Sequence, residues 1–322
     1  MKVSVVMPTY NRAYIIKEAI ESALAQTYRD FELIVVDDGS SDNTHEIIQQ
    51  LAEERIRYTR HDQNRGYSAA CNTGISAATG HVLGFLDSDD LWKPEYLERQ
   101  VGFLGRHPEV DAVFSDTEIH NSIKIPSLIG LLKVFPRLLE SNPGAGEFVF
   151  SGRQMYVCLL EEVPIKPTAF LVKREMLQRV GVFDEAWPSG TDWDLFIRLS
   201  QVACFGYVHM PLVVQRRTGD ATHQKFREKD KLFLLNVFTK EKRGLQNDPE
   251  ALQAINRGIS DHCGNLGFLY LESGQRRKSM AMYFRGFKET GALGMLLRAV
   301  SALLPMSMRN LVKRTMKRRF SP

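Results

Sequence analysis

No glycine stands in the turn after the first strand-like run, where Val3 to Met7 leads into Pro8-Thr9-Tyr10-Asn11-Arg12. A dinucleotide fold needs glycines there so that a pyrophosphate can rest on a helix N-terminus. A nucleotidyltransferase should carry a glycine-rich loop at the same place, so both classes lose their main signature. Cysteine is scarce, and Cys71, Cys158, Cys204 and Cys263 lie far apart, without paired metal-type spacing. That excludes a disulfide framework and fits a reducing compartment. No uninterrupted apolar run reaches the ~18 residues of a membrane span. The N-terminus enters a strand pattern at once and breaks at Pro8, so it lacks the apolar core of a signal peptide. These absences predict a cytoplasmic protein.

Acid is also missing from one region. After Glu289 there is none, while Arg298, Arg309, Lys313, Arg314, Lys317, Arg318 and Arg319 supply seven cations. The formal charge of +4 therefore belongs to the tail, because the remainder holds 35 basic against 38 acidic residues. Leu293, Met295, Leu296, Leu297, Val300, Leu303 and Leu304 accompany those cations, a basic amphipathic pattern suited to an anionic membrane surface on the cytoplasmic face. A solvated helix end is the plainer reading. No recognisable nucleic-acid module accompanies the charge, so no nucleic-acid partner is expected.

What is present is alternation. Apolar runs at Val3 to Met7, Phe31 to Val36, Ile56 to Thr59 and Val82 to Leu86 read as buried parallel strands. Between them Ala13 to Gln26, Asp42 to Glu53 and Gly66 to Ala78 carry helical spacing, with Asp42 as a cap. Strand and helix in turn predict an α/β, doubly wound sheet. Asn11, Asp37 and Asp38, Asn64, and Asp87 to Asp90 all follow strand carboxyl ends, so they converge on one crevice. Asp87-Ser88-Asp89-Asp90 sets three carboxylates within four residues. Such a cluster suits a hard cation shared with substrate phosphates, or an acidic turn capping the next helix.

Three blocks carry a resemblance. Val5-Val6-Met7-Pro8-Thr9-Tyr10-Asn11-Arg12, Val35-Val36-Asp37-Asp38-Gly39-Ser40-Ser41-Asp42 and Phe85-Leu86-Asp87-Ser88-Asp89-Asp90 resemble, in order, the signatures of family-2 inverting glycosyltransferases. The similarity runs from about Met1 to Gly219 and implies the GT-A fold with a mixed sheet, while from Lys225 onward the spacing itself is helical and predicts a C-terminal helical extension. It implies a catalytic domain at 1–222, with a nucleotide-sugar half at 1–115 and an acceptor half at 116–222. The helical region is then 223–322.

The same resemblance implies site residues. Pro8, Thr9 and Tyr10 would line the nucleobase pocket, Asp38 would accept a hydrogen bond from the base, and Asp37 would support that turn. Asn64-Arg65-Gly66 would complete the pocket, with Arg65 facing phosphate or solvent. Asp87 and Ser88 would serve the donor side, and Asp89, with Asp87, would hold Mn²⁺ or Mg²⁺. Asp90 would only cap a helix. Gly190-Thr191-Asp192-Trp193-Asp194 resembles the block written Glu-Asp-x-Asp, which makes Asp192 the catalytic base and Asp194 the fallback. Two positions depart from the pattern: Thr191 stands where glutamate is common, and Cys71 where many relatives carry arginine. Apart from the resemblance, Arg216 or Arg217 is a candidate to face the leaving diphosphate, and His223 is either a third metal ligand or phosphate contact or simply structural. The implied partners are a UDP-, GDP- or dTDP-linked sugar and a saccharide or lipid-linked acceptor. Two rivals remain: a nucleotidyltransferase on a related fold, and a nucleotide-sugar-binding protein without transferase activity. Ile125 to Pro136, apolar and short of acid, reads as a core excursion, as a lid over the acceptor side, or as a segment that touches membrane.

Overall fold

The computed structural model describes residues 1–322 apart from 52, 121–123, 141, 143, 188–189, 217–226 and 304–322. Its contacts divide the chain into two units, Met1–Phe226 and Arg227–Pro322. The expected division after 222 falls among residues 217–226, outside the described ones.

The first unit begins with the expected alternation: β1 (Val3–Thr9), α1 (Ile16–Leu24), β2 (Phe31–Asp37), α2 (Thr44–Gln50), β3 (Ile56–Arg60), α3 (Tyr67–Ala77) and β4 (Val82–Phe85). β5 (Leu91–Trp92), α4 (Tyr96–Arg106), β6 (Ala112–His120), β7 (Lys124–Ile125), α5 (Phe135–Leu139), β8 (Glu147–Phe150) and α6 (Gly152–Leu159) follow. β9 (Phe170–Lys173), α7 (Arg174–Val180), α8 (Thr191–Ser200) and β10 (Phe205–Arg216) complete it. The sheet order is β3-β2-β1-β4-β9-β6-β10-β5, with β7 beside β6 and β8 beside β10.

β1 to β4 are parallel, and every residue of β1 and β2 is buried, which is why their sequences are nearly continuous apolar runs. β9 enters antiparallel to both β4 and β6, so the sheet is mixed. α1 buries Ile16, Ala19, Ile20 and Ala23, the stripe that its spacing predicts. α3 buries small residues instead: Ser68, Ala69, Ala70, Cys71 and Gly74. A Cβ at Gly74 would lie 2.3 Å from Val6 Cγ1, so the glycine lets α3 lie close against β1.

One buried charge ties the parallel strands. Glu32 of β2 accepts from Ser4 Oγ at 2.6 Å, Thr79 N at 2.8 Å and Arg57 Nη1 at 2.9 Å. Burial would raise this carboxyl, yet the bonds from Ser4, Thr79 and Arg57 outweigh it and bring the pKa down to about 2. Four neighbouring segments meet on this one anion.

The segment after Phe114 is more ordered than its composition suggests. β6 continues to His120, and the buried Asp116 carboxylate takes the Ser127 hydroxyl and the amides of Thr117 and Ile129. Glu162 accepts from the amides of Lys133, Val134 and Phe135, which satisfies the start of α5. Phe135 is fully buried against Phe114, Phe150 and Tyr207. Phe135 and Ile129 of this segment thus belong to the protein's own core, whereas Leu131 is 56% exposed.

The second unit is helical: α9 (Arg227–Lys242), α10 (Pro249–Glu272), α11 (Arg276–Thr290) and α12 (Leu293–Leu303). Asp248 caps α10 through Ala251 N at 3.1 Å. Met295, Ala299 and Ala302 of α12 are buried, whereas Leu293, Leu297, Val300 and Leu303 on its outer side are between 46% and 69% exposed. Among the described residues no helix is long and apolar enough to cross a membrane.

Candidate active site

Two consecutive aspartates end β2 and face different tasks. Asp37 is fully buried; its Oδ1 accepts from Ser40 N and its Oδ2 from the Tyr58 hydroxyl, both at 2.8 Å. Asp38 reaches the β3–α3 loop, where Oδ1 accepts from Arg65 N at 2.8 Å and Oδ2 from Gly66 N at 2.7 Å. His61 Nδ1 lies 2.7 Å from the same Oδ1, and its Nε2 lies 2.9 Å from Thr73 Oγ1. Gly39 makes the approach possible: at φ +78° and with a Cβ position 2.7 Å from the Gln63 carbonyl carbon, no other side chain fits. Asp38 thus joins two of the loops that the strand pattern brings to the crevice, and three of its roughly four acceptor positions are taken.

Thr9 ends β1 opposite Asp37 and is buried, with its hydroxyl lacking a hydrogen-bond partner among the described residues. Pro8 lies in the same strand, whereas Tyr10 is 45% exposed. Asn64 is exposed. The Arg65 guanidinium extends to Glu185 at 3.3 Å. Glu185 also accepts from Asn72 Nδ2 at 2.9 Å, and Asn72 brackets Phe183 through both its amide atoms. The side chain beside Cys71 therefore fastens the segment that leads into α8.

The acidic cluster follows β4. Asp87 accepts from the Tyr67 hydroxyl at 3.0 Å, Ser88 is buried, and Asp89 meets Arg12 Nη2 at 3.4 Å. Asp90 accepts from Arg216 N at 3.1 Å, while Arg216 Nε donates to the Asp89 carbonyl at 2.6 Å. The expectation that Asp90 caps a helix is corrected here. α4 starts at Tyr96 with Glu95 before it, and Asp90 instead binds β10 to the acidic loop. Burial first, then the neighbouring Asp89 charge and Asp192, push the Asp87 pKa up to about 7, against the opposing pull of Tyr67 and Lys166. Burial, Asp87 and Asp89 likewise drive Asp90 well up.

Asp192 comes to this cluster from the far half of the sheet. Gly190, in the left-handed region at φ 79°, starts α8, and Thr191 is buried with its hydroxyl 2.8 Å from Ser68 Oγ on α3. The threonine at the position where relatives carry glutamate thus pins the start of α8 to α3. Burial first, with the Asp87 and Asp192 charges adding to it, drives Tyr67 and Cys71 well up, so Asp192, next in line, stands in the neighbourhood of Asp87. Its carboxylate has no hydrogen-bond partner among the described residues. Asp194 points elsewhere: it accepts from Arg198 Nε at 2.9 Å, and Arg198 also donates to the carbonyls of Val180 and Val182. That ion pair corrects the reading of Asp194 as a fallback base. Trp193 donates its indole N–H to the Leu159 carbonyl at 2.7 Å, a structural bond.

Sequence reasoning missed His61, Tyr67 and Lys166. Tyr67 alone had a local signal, since it directly follows Asn64-Arg65-Gly66 and opens α3. Arg217 and His223 lie outside the described residues.

The sequence matches the family described as glycosyl transferase family 2 over residues 4–178, more than half its length. The chain belongs to this family. Among its relatives, an uncharacterised glycosyltransferase of Nostoc sp. is 47% identical over 103 residues, 31% of this chain and 32% of that one. The E. coli UDP-Glc:alpha-D-GlcNAc-diphosphoundecaprenol beta-1,3-glucosyltransferase WfgD is 34% identical over 145 residues, 45% of this chain and 57% of that one. The chain spans about a third of the length of the first curated relatives it matches. Among solved structures, S. aureus TarS in complex with UDP-GlcNAc superposes with a TM-score of 0.69 at 19% identity, covering 90% of this chain and 82% of that one. Mannosyltransferase PcManGT from Pyrobaculum calidifontis, in complex with GDP-Man and Mn²⁺, gives 0.51 at 21% identity over 93% and 86%. These likenesses show the GT-A fold.

Proposed function

We propose that this family-2 member transfers a sugar from a nucleotide-diphospho sugar to an acceptor hydroxyl with inversion. The observation that carries the reading is the chain of contacts in which Asp38 holds the Arg65 and Gly66 amides, the next residue, Tyr67, donates to Asp87, and Asp89 and Asp192 act on Asp87. On this reading Thr9, whose buried hydroxyl awaits a partner, lines the base pocket with Pro8 and Tyr10, and Asp38 offers its remaining acceptor position to the base. Asn64, Arg65 and Gly66 close that pocket, and Asp87 and Ser88 border the donor. Asp192 takes the proton of the acceptor hydroxyl as its oxygen bonds to the anomeric carbon and the bond to the diphosphate breaks.

The residues present fit a divalent cation. Among the described residues no three acidic, histidine or cysteine side chains form a ready-made cage. Mg²⁺-type sites rarely need one, because one or two carboxylates share the ion with substrate phosphates. Asp89, with Asp87, would hold Mn²⁺ or Mg²⁺, and the ion would supply charge neutralisation at the leaving diphosphate. Arg216 Nη2, buried beside the loop, lacks a partner among the described residues, as expected of a site built around a polar ligand.

A panel of UDP-, GDP- and dTDP-linked sugars with Mn²⁺ tests the reading. Melting should rise with one base, and metal-dependent sugar transfer or slow donor hydrolysis should follow with it. Donor binding without turnover on any saccharide or lipid-linked acceptor would instead favour a nucleotide-sugar-binding protein.

We also propose that the chain works at the cytoplasmic surface of a membrane, in the assembly of a cell-surface polysaccharide or glycolipid. Support comes from the exposed Leu293, Leu297, Val300 and Leu303 of α12, followed in sequence by six cations and no acid. Deleting 309–322 should move the protein from the membrane to the soluble fraction of a lysate. An unchanged distribution would refute it.

A further inference from the structure

Arg12 reaches from the end of β1 to Asp89, 77 residues further on, with Nη2 and Oδ2 3.4 Å apart. The same guanidinium also gives Nη1 to the Tyr14 hydroxyl at 3.1 Å. Asn11 stands at φ 52°, a conformation uncommon outside glycine. The turn is stitched to the β2–α2 loop by bonds from Asn11 N to Ser40 Oγ at 2.9 Å and from Arg12 N to Thr44 Oγ1 at 3.0 Å. Ser41 N donates to Asn11 Oδ1 at 2.8 Å, and Ala13 N to Asp42 Oδ2 at 3.0 Å. A strained residue persists only where its surroundings over-determine it, and what this one aims is the Arg12 guanidinium. The other nearby arginine is engaged differently, since Arg216 gives Nε to the Asp89 carbonyl and Nη1 to Glu18.

We propose that Arg12 is a resident counter-cation for Asp89, which a divalent metal must displace and which the donor diphosphate draws away. The inference rests on the reading of Asp89 as a metal ligand. One carboxylate cannot serve a guanidinium and a metal ion at full strength, because the two cations repel at close range. Phosphate oxygens offer the guanidinium a stronger, bidentate partner. Metal and nucleotide therefore bind cooperatively, and by linkage each raises the other's affinity by the same factor. Metal alone competes with Arg12 and binds weakly.

The test is a Mn²⁺ titration of the full chain, followed by the EPR signal of the free ion, with and without UDP. Arg12→Gln should bind Mn²⁺ alone about fivefold tighter, the size expected of one partly exposed ion pair. It should lose about the same factor of the enhancement that UDP brings, while Arg12→Lys, which keeps the charge without the bidentate fork, should bind Mn²⁺ alone as weakly as the unaltered protein. An Arg12→Gln variant with equal or weaker affinity for Mn²⁺ alone overturns the proposal, and Arg12→Met gives the same comparison should the glutamine variant melt early. Asp89→Asn separates the two layers. If it binds Mn²⁺ as the unaltered protein does, the reading of Asp89 has failed. If it loses the ion and Arg12→Gln gains nothing, the counter-cation alone has failed.

Discussion

Replacing Asp192 by asparagine is expected to lower the rate of sugar transfer by about 10²–10⁴-fold, the usual worth of a positioned general base. Donor affinity should stay within about twofold, because the loss is confined to an interaction made in the transition state. Asparagine keeps the shape of the side chain, and the Thr191–Ser68 bond that starts α8 does not involve it. The helix should therefore stand where it did, with only the proton acceptor gone. The corresponding change at Asp194 differs in kind. Its carboxylate holds Arg198, which in turn gathers the carbonyls ahead of α8, so Asp194→Asn should cost stability before it costs chemistry. Steady-state transfer assays beside calorimetric donor titrations check both halves. An Asp192→Asn enzyme that keeps its turnover would remove Asp192 from the chemistry, whatever its position.

How much of this site the sequence discloses depends on how far each partner lies along the chain. The four parallel strands are legible because burial on both faces forces continuous apolar runs, and the polar residues that end them mark the crevice by topology alone. β9 is different. Its antiparallel insertion between β4 and β6 depends on pairings that no local pattern encodes. The acidic cluster shows the same limit. Its carboxylates are visible as letters, whereas the division of labour among them comes from Tyr67, Arg12 and Arg216, one on each of three other segments. Asp194 could have been set aside earlier, since Arg198 lies four residues on, at helical pairing distance. Thr191 looked like the loss of an acid. In the fold it is a bond between α8 and α3.

Asp38→Asn should produce the second large effect, and for two reasons that can be told apart. The carboxylate accepts from Arg65 N and Gly66 N through different oxygens, with His61 against the first. An asparagine has one carbonyl oxygen, so in either orientation its NH₂ group faces an N–H that now has no acceptor. Each such unmade buried bond costs about 1–3 kcal/mol, and charge-assisted bonds are the stronger kind. A destabilisation of about 2–4 kcal/mol follows from the loop alone. The Asn64-Arg65-Gly66 loop would loosen with it, and donor affinity should fall by more than about tenfold, since roughly 1.4 kcal/mol suffices for that factor. Urea unfolding and titration with UMP and UDP separate the causes. A variant as stable as the unaltered protein but unable to hold either nucleotide would make Asp38 a base acceptor and no anchor. One that unfolds early yet binds UMP normally when folded would make it an anchor only. Loss of both is the expected result, because the hydrogen bonds that fasten the pocket loop and the acceptor offered to the base belong to the same two oxygens.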